Sequence, residues 1–170
     1  MGVRRLALIG ACCALGVAAA SGASASSALA RCKLAQLRLT GSLQGATQSL
    51  LGTLTVVNQS GRACALPQAP SRVTLVVGGE VLPVLTVRMN DHRWPPGKPT
   101  RRLPAHERLF VGIQWRNWCG RPRGNVRLAV GLTIYGAETR RSSVGRARTP
   151  QCVDHKHSSR VAVSPFIVSP

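Results

Sequence analysis

Acidic side chains are scarce in this 170-residue chain, where 5 Asp and Glu stand against 23 Lys and Arg. Glu80, Asp91, Glu107, Glu138 and Asp154 are widely scattered, and no spacing among them marks the facing carboxylates that glycoside hydrolysis uses. No Gly-x-Ser-x-Gly elbow or other nucleophile motif is present either, so His106-Glu107, at the start of an apolar strand pattern, has no partner in a triad. The sequence therefore assigns no catalytic residue and reads as a non-enzyme.

A spanning helix is also missing. The longest run of apolar and small residues, Leu6 to Ala20, is fifteen residues, short of the ~20 that cross a bilayer. It follows two arginines at Arg4 and Arg5 and precedes a small, weakly polar segment from Ser21 to Ala30, the three-part layout of a secretory signal. Cleavage is expected after Ala30 (Ala28-Leu29-Ala30), with Ala25 (Ala23-Ser24-Ala25) as the other site. Ile9-Gly10-Ala11-Cys12 offers a competing lipid-attachment reading, on a very short apolar core from Leu6 to Ala11. The expected product is a single exported domain, residues 31–170, with no membrane span.

Closely spaced cysteines are lacking as well. Cys32, Cys64, Cys119 and Cys152 remain after the signal, too far apart to form the local pairs of a zinc knuckle. An even count in an exported chain reads as two disulfides. Three pairings are open. Cys32 with Cys64 and Cys119 with Cys152 is favoured, because each bond then ties a terminal segment to its neighbour in sequence.

What is abundant is positive charge. Without Arg4 and Arg5, 21 basic residues face 5 acidic ones, a net charge of +16. Arginine outnumbers lysine 20 to 3 over the full chain, as GC-rich coding would produce. Coding bias does not account for the missing acids, since Asp and Glu have GC-rich codons too. Attraction to polyanions follows directly from the charge.

Short apolar segments broken by Gly, Pro, Asn and Ser, with no helical period, indicate an all-β chain. Leu34, Leu37 and Leu39 suggest a first strand, and Gly41 to Gly45 a turn. Leu50, Gly52, Leu54 and Val56 share one face of a second strand, which ends in the turn Asn58-Gln59-Ser60-Gly61. Arg72 to Val77 and Val81 to Arg88 flank Gly78-Gly79, a hairpin dipeptide, and Pro83 confines the second member to an edge or a bulge. Leu109 to Trp115 is apolar on both faces and therefore central. Asn125 to Tyr135 alternates cleanly, Arg160 to Val168 is interrupted by Pro165, and Ser142 to Ser159 reads as a long cationic loop pinned by Cys152. About seven or eight strands at this spacing predict an antiparallel β-sandwich.

Specific residues add a resemblance. Cys32, Leu37, a Leu-Thr-Val-Val-Asn strand, Cys64-Ala-Leu66 and Pro70, then Leu103-Pro104 and Asn117-Trp118-Cys119 together resemble a family of secreted actinobacterial proteins of unknown function. Gln68 and Ala69 stand where that family has glycine and an aromatic, and Ala105 replaces a glycine. The resemblance implies a disulfide-linked, immunoglobulin-like sandwich in the cell envelope or medium, and brings no activity and no functional residues.

Three groups of residues are candidates for binding. Arg93, Trp94, Lys98, Arg101 and Arg102 lie in RWPPGKPTRR, a proline-stiffened stretch whose cations suit phosphate or carboxylate and whose tryptophan suits stacking. Its plain alternative is a solvated connection. Arg116, Arg121, Arg123 and Arg127, with Arg140, Arg141, Arg146 and Arg148, extend one basic surface if their loops share an end of the fold. Trp115 and Trp118 beside Cys119 could form a ligand platform, although alternation assigns Trp115 to the core. His155 and His157, on one side of an extended segment with Asp154 near, are weak metal ligands that would need a third from Asp91-His92. No metal and no cofactor is assigned.

The reading that results is an exported, non-catalytic binding module whose basic loops engage an anionic envelope polymer, phosphate-rich or uronate-bearing. Nucleic acid is disfavoured by export. The alternatives are a structural or inhibitor-like protein-interaction domain, and an unrecognised metal carrier or hydrolase.

Overall fold

The computed structural model describes residues 28–46, 48–89 and 94–168. The signal segment through residue 27, Cys12, Asp91, His92 and Arg93 lie outside the described residues. Among the described residues one 3-10 turn, Leu34–Gln36, precedes fourteen strand segments. They are β1 (Leu37–Ala46), β2 (Ser49–Asn58), β3 (Cys64–Ala65), β4 (Arg72–Val77), β5 (Glu80–Val81), β6 (Leu85–Arg88) and β7 (Lys98–Pro99). The remainder are β8 (Arg102–Leu103), β9 (Arg108–Arg116), β10 (Asn125–Ile134), β11 (Ala137–Glu138), β12 (Ser142–Arg148), β13 (Arg160–Val163) and β14 (Ile167–Val168). Among the described residues no helix is long and apolar enough to cross a membrane.

The fold is the expected immunoglobulin-like β-sandwich, two sheets across one core. The first runs β1-β2-β9-β13-β6, with β14 beside β9 and β7 beyond it; the second runs β5-β4-β10, with β11 and β12 sharing the far edge of β10. A two-stranded ribbon, β3-β8, lies outside both. β6 pairs in parallel with β13, and the other paired strands are antiparallel. Period two places Leu50, Leu54 and Val56 of β2, Leu109 to Trp115 of β9 and Val126 to Ile134 of β10 inward, where they are buried. Each fully buried Leu, Ile or Phe contributes roughly 1.5 to 3 kcal/mol of apolar transfer. Cys32–Cys64 and Cys119–Cys152 are bonded, with Cα separations of 4.9 and 4.6 Å.

Gly78 and Gly79, with φ of 60° and 92°, turn the chain from β4 into β5. Pro83 then marks the crossing from one sheet to the other, since β5 ends the second sheet and β6 ends the first. Both halves of the expected strand are edges, as a missing amide donor requires.

Three sequence expectations change. Leu34 falls in the 3-10 turn, and the first strand begins at Leu37. Gly41 and Gly45 are strand residues rather than a turn, because β1 pairs with β2 along its whole length. A Cβ on Gly41 would lie 2.7 Å from the Thr53 carbonyl oxygen, so glycine there serves close backbone approach. Ser142 to Arg148 is not loop but β12, bonded along β10 with a bulge between Leu128 and Ala129. Only the segment after it is a loop carrying Cys152.

Candidate functional site

RWPPGKPTRR is built into the sandwich rather than held away from it. Trp94 is half-buried and Pro95 buried, both against Gly112 on the outer face of β9, where a Cβ would meet the Trp94 ring at 2.8 Å. The expected stacking role for Trp94 is therefore compromised, because one side of its ring is spent on the protein's own backbone. Lys98 belongs to β7, paired with β14, and Arg102 to β8, paired with β3. The Arg101 Nε donates to the Leu66 carbonyl at 3.3 Å. Lys98, Arg101 and Arg102 are exposed, at the end of the sandwich where the chain enters β9.

The second basic loop lies where β9 ends. β9 is nine residues long, so Lys98 to Arg102, at its start, and the second loop, at its end, are separated by about 27 Å of extended chain, while Trp94 packs at Gly112 partway between. They do not share an end. The single continuous surface considered for these loops does not form among the described residues, where Lys98 to Arg102 and Arg116 to Arg123 are separate clusters.

The loop from β9 to β10 is held firmly. Trp118 is buried and its Nε1 donates to the Pro122 carbonyl at 2.8 Å, while Gly120 sits so close beneath the ring that a Cβ would lie 2.7 Å from it. Trp115, also buried, donates to the Ser159 hydroxyl at 2.8 Å and packs 5.5 Å from Trp118 between centroids. Neither indole offers a ligand platform; both are core. Asn117, at φ 56°, ties this loop to the next one. Its amide nitrogen donates to the Asp154 and His157 carbonyls at 2.8 Å each, and its oxygen accepts from the Val153 and Asp154 amides at 2.9 Å each. Arg123 donates to the Cys119 carbonyl at 2.9 Å, which fixes its guanidinium over the loop.

Around this loop the strand register brings arginines face to face. In the first sheet Arg116 is directly opposite Arg160, and in the second Arg127 is directly opposite Arg146. All four are exposed and alternate with inward residues, so each pair lies on the outer face of its sheet. Arg121 and Arg123 cross the sandwich end between the two faces, and Arg148 continues the second face beside Asn125. The result is a basic belt over one end. Like charges directly opposite cost from a few tenths to about 1 kcal/mol per pair. Among the described residues the ion pairs are Arg141 with Glu138 and His157 with Asp154, so no carboxylate relieves the belt. Arg140 and Arg141 are not part of it, since they line a groove with Leu34, Arg38 and Ser142 beside β1.

Between β4-β5 and the loop is an open groove of about 1120 Å³, lined by Val77, Gly78, Glu80, Arg121, Pro122, Arg123, Val126 and Arg127, with Cys119 and Gly120 at its end. Arg160 and this groove are what sequence reasoning missed. No local signal announces either, because both depend on which strands become neighbours.

The histidine segment, whose His155 and His157 are only weak metal candidates by sequence, does not aim its two rings at one point. His157 Nδ1 lies 2.6 Å from the Asp154 carboxylate, whereas His155 Nε2 turns to Cys152 Sγ at 3.5 Å. The turn at Asp154 sends the two rings to different partners, which an extended segment would not do. Cys119, Cys152 and His155 cluster within 4.8 Å, but both sulfurs are committed to the disulfide. The Asp154 carboxyl is held below the ordinary carboxylate range, first by the Lys156 amide and then by His157. The other described acids sit apart: Glu80 on β5, Glu107 before β9 and Glu138 on β11. No known family model, curated protein or solved structure matches this chain.

Proposed function

We propose that the protein is an exported, non-catalytic binding module that grips an anionic polymer of the cell envelope with one end of its sandwich. The signal-like layout of Met1 to Ala30 and the two disulfides support export, since such bonds persist in oxidising compartments. The observation that carries the binding reading is two arginine pairs, Arg116 opposite Arg160 and Arg127 opposite Arg146, none of which is ion-paired with an acid among the described residues. The like charges themselves oppose folding. A polymer with regularly spaced negative groups relieves both repulsions at once, and arginine forks suit phosphate and carboxylate alike.

A salt titration tests this. Binding of the purified protein to an envelope polymer fraction should weaken linearly in log-log form as salt rises, and Arg127→Gln with Arg146→Gln should reduce the slope by about 1 to 2. An affinity indifferent to salt would instead favour a protein partner. That second reading has its own observation: Val81 and Leu85, 55% and 51% exposed, lie on the edge strands β5 and β6, where an extended partner could add by strand pairing.

A further inference from the structure

The groove beside the belt contains a feature that a surface for phosphate alone would not need. Glu80 is exposed within it, directly opposite Val77 across the β4-β5 hairpin, and it shares the groove with Arg121 and Arg127. Yet it is ion-paired with neither, since the ion pairs among the described residues are Arg141 with Glu138 and His157 with Asp154. Val77, Pro122 and Val126 supply apolar lining between them. We infer that this groove is a saccharide subsite, and that the polymer taken by the belt is a uronate-bearing polysaccharide. This rests on the polyanion reading above.

The chemistry divides the two kinds of polymer. A sugar ring has an apolar face suited to the valine and proline lining, hydroxyl donors suited to an unneutralised carboxylate, and, in a uronate, a carboxylate suited to an arginine fork. A polyphosphate chain offers no hydroxyl to Glu80 and is repelled by it. Glu80 repels the negative groups of both polymers, but only the sugar repays it with hydroxyl hydrogen bonds, which gives its removal opposite signs for the two where those bonds outweigh the repulsion.

The test measures binding of the purified, disulfide-bonded protein to polygalacturonate and to polyphosphate, matched in charge and at equal salt. Wild type should prefer polygalacturonate. Glu80→Gln should weaken polygalacturonate by about tenfold, the loss of one charge-assisted hydrogen bond, while binding of polyphosphate stays unchanged or tightens. Arg116→Gln with Arg160→Gln, outside the groove, should weaken both. Equal or better binding of polyphosphate by wild type, or tightening of both polymers in Glu80→Gln, would overturn the saccharide subsite and leave the belt standing. Binding of neither polymer by wild type would overturn the belt reading together with it.

Discussion

Replacing Arg127 by glutamate converts a repulsion into an attraction at a known place. Arg127 and Arg146 are directly opposite on the outer face of the second sheet, where opposite charges stabilise by about as much as like charges destabilise. Both side chains are solvent-exposed, so screening holds the combined swing to roughly 0.5 to 1 kcal/mol. For a domain of this size that raises the melting temperature by about 2 to 3 °C. Thermal unfolding at low salt should show the gain in Arg127→Glu, about half of it in Arg127→Gln, and very little of it at 1 M salt, where the screening length falls to about 3 Å. The same substitution should reduce polyanion binding by at least about tenfold, since it removes one fork and adds a repelling group. A stabilised variant that keeps full binding would show that the repulsion serves no ligand, and a destabilised one would show that Arg127 is held by contacts other than its charge.

The loops give further expectations. Asn117→Ala removes four hydrogen bonds to residues 153–157, two part-buried and two exposed, and should cost about 1 to 2 kcal/mol in denaturant unfolding. Asp154, whose carboxyl titrates below its ordinary value in the fold, stabilises its loop above the unfolded value of about 3.9, and that contribution is lost as pH falls through the lower native value. Amide exchange or chemical shifts at residues 154–157 should follow this acid transition, and Asp154→Asn should abolish it. Cys119 and Cys152 are partly exposed whereas Cys32 and Cys64 are 5% exposed, so a mild dithiol should reduce the second disulfide first, as mass mapping of alkylated thiols can read. Because Cys119 anchors the loop of Arg121 and Arg123, that reduction should weaken polyanion binding. Gly112→Ala should displace Trp94 from β9 and shift tryptophan emission to the red.

Strands with an uninterrupted period of two were legible from sequence. Leu50, Gly52, Leu54 and Val56 line one face as their spacing implied, and β9 is central because both its faces are apolar. β12 was not legible, since Val144 and Ala147 are its buried members and Gly145, at φ 94°, puts a bulge between them. The spacing of three hides the strand inside a cationic segment. Gly41 and Gly45 misled in the opposite direction, because glycine required by a close partner strand reads the same as glycine required by a turn. Of the site, the arginines of the β9-β10 loop and of β12 could be named from sequence, but their confrontation could not. Register is a property of two strands, and residues 127 and 146 meet only once β10 and β12 are paired. For the same reason Arg160 gave no sign of belonging beside Arg116, and RWPPGKPTRR, the densest cationic stretch, drew attention to the opposite end of the sandwich.

Which end of the sandwich holds the polymer can be read from backbone amide shifts during titration with an anionic polymer. Shifts should concentrate at residues 116–127, 146–148 and 160, with residues 98–102 little affected. Shifts centred on 98–102, or confined to the exposed edge at Val81 and Leu85, would contradict that placement.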